Sequence, residues 1–147
     1  MTDHLTSKER SRNMAAIKSK NTSPEIKVRS LLHRNGYRFR LYNKNLPGKP
    51  DIILPKYNTV IFVHGCFWHR HTGCKDCTTP KTNKKYWTEK FNKNIKRDKY
   101  VQDELKQLGW NVIVIWQCEL KEQDKLIKEL CNKRNVLSFC RVISFLV

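Results

Sequence analysis

Apolar residues along this chain recur with two different periods, and the changes from one to the other divide it into elements. Unbroken apolar runs stand at Ile52-Ile53-Leu54, Val60-Ile61-Phe62-Val63 and Val112-Ile113-Val114-Ile115-Trp116. Runs of that length, bounded by turn residues and rich in β-branched side chains, predict strands covered on both faces. The middle one, Thr59 to His64, is the central strand. Pro55-Lys56-Tyr57-Asn58 leaves room only for a tight turn, so the strand from Asp51 to Leu54 pairs with it as an antiparallel hairpin. Tyr37-Arg38-Phe39-Arg40-Leu41-Tyr42 alternates with period two and predicts a further, half-buried strand with Tyr37, Phe39 and Leu41 facing inward.

Helical spacing fills the intervals. Residues 7–19, basic with Met14, Ala15, Ala16 and Ile17 in the middle, predict a short helix within a basic arm over residues 1–20. At Asn21-Thr22-Ser23-Pro24-Glu25 either Thr22 and Glu25 form a capping box or Ser23 caps a helix with Pro24 in its first turn. Ile26, Leu31 and Leu32 give that helix its apolar side and Gly36 ends it. Trp87, Phe91, Ile95, Val101, Leu105 and Leu108 predict a long helix over 86–108 after a lysine-rich loop over 78–85. A helix over 122–133 and an edge strand over 136–147 are expected to complete the chain. The pattern defines an α/β fold: one domain over residues 1–147, with a mixed β-sheet flanked by helices.

Charge changes this picture from a scaffold to a surface with a task. The formal net charge is +17, and residues 1–100 carry 23 basic against 7 acidic side chains. A small soluble domain is served by a net charge of about 2 to 8. The surplus points to a polyanion, and with no long apolar run or amphipathic stretch to argue for a bilayer, nucleic acid is the expected partner. No secretory signal opens the sequence, so a cytoplasmic protein is expected, and its six cysteines read as metal ligands or packing thiols.

The central strand runs out into His64-Gly65-Cys66-Phe67-Trp68-His69-Arg70-His71-Thr72-Gly73-Cys74, far more chemistry than a turn requires. Cys66, His71, Cys74 and Cys118 supply the four nitrogen and sulfur ligands of a closed, structural zinc site. Cys77, in a C-x2-C pair with Cys74, and His69 are alternatives within that quartet. Cys131 and Cys140 read as packing residues. Asp51 opens one arm of the hairpin and His64 closes the other, so a carboxylate lies beside imidazoles. Such a carboxylate can hold Mg²⁺ with phosphate and water, and His64 or His69 can activate the water.

Pro47-Gly48-Lys49-Pro50-Asp51, the stretch from His64 to His69, Lys93-Asn94-Ile95-Lys96-Arg97-Asp98, and Leu108-Gly109-Trp110 to Trp116-Gln117-Cys118 together resemble the very-short-patch-repair (Vsr) DNA mismatch endonucleases. The likeness runs from about Ser11 to Leu120. It implies a restriction-endonuclease-like core, a structural Zn²⁺ and a Mg²⁺-dependent enzyme that nicks 5′ of the thymine in T·G mismatches left by 5-methylcytosine deamination. It further implies Asp51 as Mg²⁺ ligand, with His64, His69 and Glu25 organising or deprotonating the attacking water. Family members can carry threonine at position 63, where Val63 offers its backbone carbonyl to the metal. Phe67, Trp68 and Trp87, which read from composition alone as core aromatics, match residues that the family wedges beside the mismatch, with Met14 approaching from the arm. The implied setting is a monomer on double-stranded DNA, alongside a cytosine-5 methyltransferase and a repair polymerase. Residues alone also admit a restriction-type nuclease for paired DNA, or a non-catalytic zinc-stabilised DNA-binding module.

Overall fold

The computed structural model describes residues 6–18 and 20–121. Its helices are α1 (Ser7–Ala16), α2 (Ser23–Arg34), α3 (Cys66–His69) and α4 (Lys84–Gln107), and its strands β1 (Ile52–Leu54), β2 (Thr59–His64) and β3 (Asn111–Trp116). Among the described residues β2 is the middle of a three-stranded mixed sheet, antiparallel to β1 and parallel to β3. The hairpin and the covered central strand expected from the apolar runs are therefore present. The predicted helix over 122–133, the strand over 136–147, and Cys131 and Cys140 lie outside the described residues.

Both faces of the sheet are covered, which is why its strands show no polar alternation. Ile52, Leu54, Ile61, Ile113 and Ile115 pack with Val28, Leu31 and Leu32 of α2. The opposite face, Ile53, Val60 and Phe62, packs with Leu105 of α4, with Val101 and Val114 half-buried against it. Successive residues of β1 thus serve opposite layers, as the pleat requires. The parallel register is pinned at the turns: the Asn58 amide group donates to the Gly109 carbonyl at 2.5 Å, and the Asn111 N–H to the Asn58 carbonyl at 2.8 Å.

Two expectations need correction. Residues 37–42 do not form a strand; one antiparallel bridge joins Arg40 to Ile53, with N–H to carbonyl distances of 2.8 and 2.9 Å. The inward face is as read, since Tyr37 is buried and Phe39 and Leu41 pack on the core. Extension stops because Tyr42 turns to φ 56°, a left-handed conformation that no strand continues through. The first helix also ends earlier than expected, at Ala16, where Ile17 is extended; a capping box of Thr6 with Glu9 starts it.

Pro47-Gly48-Lys49-Pro50 brings the chain to Asp51 under tight constraint. Gly48 has φ 65°, and a Cβ there would overlap the Val101 side chain of α4. Only glycine allows this backbone to lie so close to the helix.

Candidate active site and metal centre

Because β2 and β3 run parallel, their C-terminal ends meet at one edge of the sheet, with His64 paired to Trp116. Asp51 reaches the same edge from the start of β1, and its Oδ2 accepts the Val63 N–H at 2.8 Å. Burial pushes the Asp51 carboxyl up to about 6; the Val63 bond opposes this, the Glu25 charge adds to it, and Arg29 and His69 pull it back. A carboxylate so desolvated beside another negative group is in surroundings that favour a cation.

His64 is 6% exposed, and its imidazole is pushed down to about 4 by burial and then by the charge of His69. It stays neutral at neutral pH. Its ring stacks on that of His69, centroids 3.8 Å apart and planes 11° from parallel. His69 in turn places Nδ1 2.5 Å from Asp98 Oδ2. Burial raises the Asp98 carboxyl, but the bond to His69 and the charges of His69 and His64 outweigh it, so Asp98 lies below its ordinary range. An ionised carboxylate at Nδ1 fixes the tautomer and leaves Nε2 with the free lone pair.

Asp98, to which no role falls from the residue pattern alone, is the carboxylate that the fold brings to this imidazole pair. Its signals in the sequence are its place at the end of the motif from Lys93 to Asp98 and its acidity among Lys93, Lys96, Arg97 and Lys99. Ligating atoms of His64, His69 and Asp98 lie within 4.8 Å of one another; Asp51 is not a member of that group, though it feels the charge of His69. Glu25 lies on α2, 5% exposed, and does form the capping box: it accepts from the Thr22 hydroxyl at 2.7 Å and from the Asn21 N–H at 3.0 Å.

The second cluster joins the ends of β2 and β3. Ligating atoms of Cys66, His71, Cys74 and Cys118 all lie within 4.8 Å of one another, and Cys77 is outside the group. His71 Nδ1 is 3.8 Å from Cys66 Sγ and 3.2 Å from Cys118 Sγ. Zinc–sulfur and zinc–nitrogen bonds at a tetrahedral angle set that separation at about 3.6 Å, so the donors fit the ion. Burial pushes the Cys66 thiol up and the Cys118 thiol up to about 12, whereas the Asp76 N–H pulls Cys74 down. A bound cation would reverse the first two. His71 is held flat against Trp116, centroids 4.2 Å apart, and α3, one turn of helix unforeseen in the sequence, carries Phe67, Trp68 and His69 between two of the ligands.

Phe67, Trp68 and Trp87 form one half-buried aromatic group seated on buried Phe91, with Phe67 centroids 5.1, 5.4 and 5.3 Å from Trp68, Trp87 and Phe91. They pack as expected of core aromatics, yet stay partly open. Met14 is 43% exposed on α1. Among the described residues no helix is long and apolar enough to cross a membrane.

Sequence comparison supplies the class. The chain is 49% identical over 132 residues to the Type II nicking enzyme V.XorIIP of Xanthomonas oryzae pv. oryzae, covering 90% of this chain and 96% of that relative. It is 46% identical over 134 residues to the Type II nicking enzyme V.NmeAIP of Neisseria meningitidis, covering 91% of each. With the DNA mismatch endonuclease Vsr of Escherichia coli it shares 42% identity over 125 residues, 85% of this chain and 80% of that one. The protein is a DNA endonuclease, which removes the non-catalytic alternative. It belongs to the family described as DNA mismatch endonuclease Vsr, which matches residues 2–76.

Proposed function

We propose that this endonuclease nicks one strand of duplex DNA on the 5′ side of the thymine in a T·G mismatch, with Mg²⁺ at Asp51 and a structural Zn²⁺ at Cys66, His71, Cys74 and Cys118. The observation that carries the reading is the shared sheet edge, where the Asp51 carboxylate and the His69–Asp98 pair converge. Asp51 Oδ2 is fixed by the Val63 N–H, and the second oxygen, together with the Val63 carbonyl, supplies hard ligands of the kind Mg²⁺ takes. When bound, that ion supplies Lewis-acid stabilisation of the phosphate and the leaving oxygen. His69 Nε2 takes the proton of the attacking water while Asp98 holds the ring and stabilises its cationic form. His64, neutral and stacked on His69, keeps that ring in plane and does not compete for the proton. Glu25 orients water on the Asp51 side.

His69→Ala is expected to lower the single-turnover nicking rate by about 10²- to 10⁴-fold, and Asp98→Asn by about 10- to 100-fold, with little change in duplex affinity. Rates and gel-shift affinities measured together check this; unchanged nicking in both variants removes the assignment of the base.

Lesion recognition rests on the aromatic group and the basic helix face. A mismatched step costs less to unstack, and Phe67, Trp68 and Trp87 offer planar surface to replace lost stacking, with Met14 on the arm as a fourth wedge. A panel of T·G, other mismatched and fully paired duplexes, run on denaturing gels, tests the substrate. The T·G duplex is expected to be nicked at least about 10²-fold faster than the paired one, a difference of about 2.7 kcal/mol in activation free energy. Equal cutting of both strands in paired DNA would favour the restriction-type alternative. By nicking at T·G, the enzyme starts a very short repair patch, working as a monomer beside a cytosine-5 methyltransferase and a repair polymerase.

A further inference from the structure

We infer that Arg29, clamped by Tyr42 and Asn21, is a positioning residue for strand cleavage that locks the Glu25 carboxylate at the reacting edge. The inference rests on the role given to Glu25 above and extends it to residues with no assigned part in the reaction.

The starting point is an excess of structure around an ordinary helix cap. A capping box needs only Thr22 and Glu25. Here Glu25 Oε2 also takes the Arg29 Nη2 at 2.9 Å, and the two side chains are 6% and 13% exposed. An exposed pair one helical turn apart contributes little, because solvent screens it and its partners move freely. This pair is neither exposed nor free. Arg29 Nη1 donates to Asn21 Oδ1 at 2.6 Å, and Nη2 donates to the Tyr42 hydroxyl at 3.0 Å as well as to Glu25. The Tyr42 hydroxyl donates onward to Asn21 Oδ1 at 2.5 Å, and the Asn21 N–H donates back to Glu25 Oε2. The bonds close a ring in which every partner restrains two others.

At Tyr42 the backbone is held against its local preference, whereas asparagine takes the left-handed region readily. Asn21 and Tyr42, on two different loops, both adopt left-handed conformations, φ 53° and 56°. For tyrosine that conformation is unfavourable and persists only where surrounding contacts impose it; such residues gather at working sites. Both loops bend so that one amide and one hydroxyl reach a single guanidinium.

The consequence falls on the carboxylate. With Oε1 on the Thr22 hydroxyl and Oε2 on Arg29 and the Asn21 N–H, Glu25 cannot rotate about its terminal bond. Asp51 feels both members of the pair, Glu25 unfavourably and Arg29 favourably. The guanidinium therefore allows two carboxylates to stand at one edge before any cation arrives, and fixes where the Glu25 charge stands. Lysine could supply the charge but not the planar fork that spans three acceptors.

The test is a double-mutant cycle read by single-turnover nicking of a T·G duplex and by thermal melting. Arg29→Gln is expected to slow nicking by about 10- to 100-fold and Tyr42→Phe by about 3-fold, with duplex Kd within about 2-fold, the pattern of a lost orientation. Arg29→Lys should recover only part of the rate. In the Glu25→Gln background, Arg29→Gln should cost no further rate and a smaller fall in Tm than in the wild-type background. Additive rate losses, or a loss wholly in duplex affinity, would overturn the inference, as would melting shifts that add without coupling. A wild-type protein that failed to nick in Mg²⁺ would sink the proposed function instead, while the melting cycle still decides whether the clamp exists.

Discussion

Replacing Asp51 by asparagine is expected to abolish nicking and, in protein free of Mg²⁺, to make the fold more stable. Asparagine keeps an oxygen for the Val63 N–H but removes a charge that the site tolerates poorly. The sign follows from linkage. The folded-state carboxyl titrates near 6, above its ordinary 3.8, so between those values the folded chain holds a proton that the unfolded chain has released. Stability from this group is full below 3.8, declines as pH rises through 6, and is lost above it. The Asp51→Asn variant should therefore match wild type near pH 4 and exceed it above pH 6, by on the order of 1 to 3 kcal/mol. Denaturant melts at several pH values measure this directly. A variant less stable than wild type at pH 8 would show that Asp51 is not a desolvated carboxylate awaiting a cation. Added Mg²⁺ should stabilise the wild type and leave the variant unmoved.

The second large effect is expected at the cysteine cluster. One Zn²⁺ per chain should be found by elemental mass spectrometry and lost in Cys66→Ser and Cys118→Ser, with a fall in melting temperature of at least about 10 °C. Cys77→Ser should keep both the metal and the melting point, because that thiol lies outside the group of mutually close ligands. Metal retained in the Cys118→Ser protein would move the site elsewhere. The effect should be large because beyond α3 the segment from Arg70 to Cys74 buries no residue of its own, and a metal shared with Cys118 would tie it to the end of β3.

What the sequence discloses here depends on how local the cause is. Val60 to Val63 and Val112 to Trp116 need only their own composition to read as covered strands, and the short Pro55–Asn58 connection dictates the hairpin. The Cys/His quartet proposed to hold zinc is legible in residue type, but that Cys74 and not Cys77 joins the group of mutually close ligating atoms is decided by the fold of the loop. Residues 37–42 mislead because alternation records which face is buried, not whether a neighbour strand extends alongside. Tyr42 bends away to meet Arg29 and Asn21, a contact spanning loops that no window of sequence contains. Asp98 stayed hidden for the same reason: its partner His69 lies 29 positions away, and only the packing of α3 against α4 brings them together.

Gly48 carries these distances into a mechanical dependence. The missing side chain lets the approach to Asp51 rest on Val101, three residues along the helix from Asp98. One rod thus gauges both the Asp51 carboxylate and the imidazole proposed to work with it. A methyl group more or less at Val101, packed between Gly48 and the sheet, should reset the gap between Asp51 and His69, making that valine a dial for tuning the enzyme without touching its proposed reactive groups.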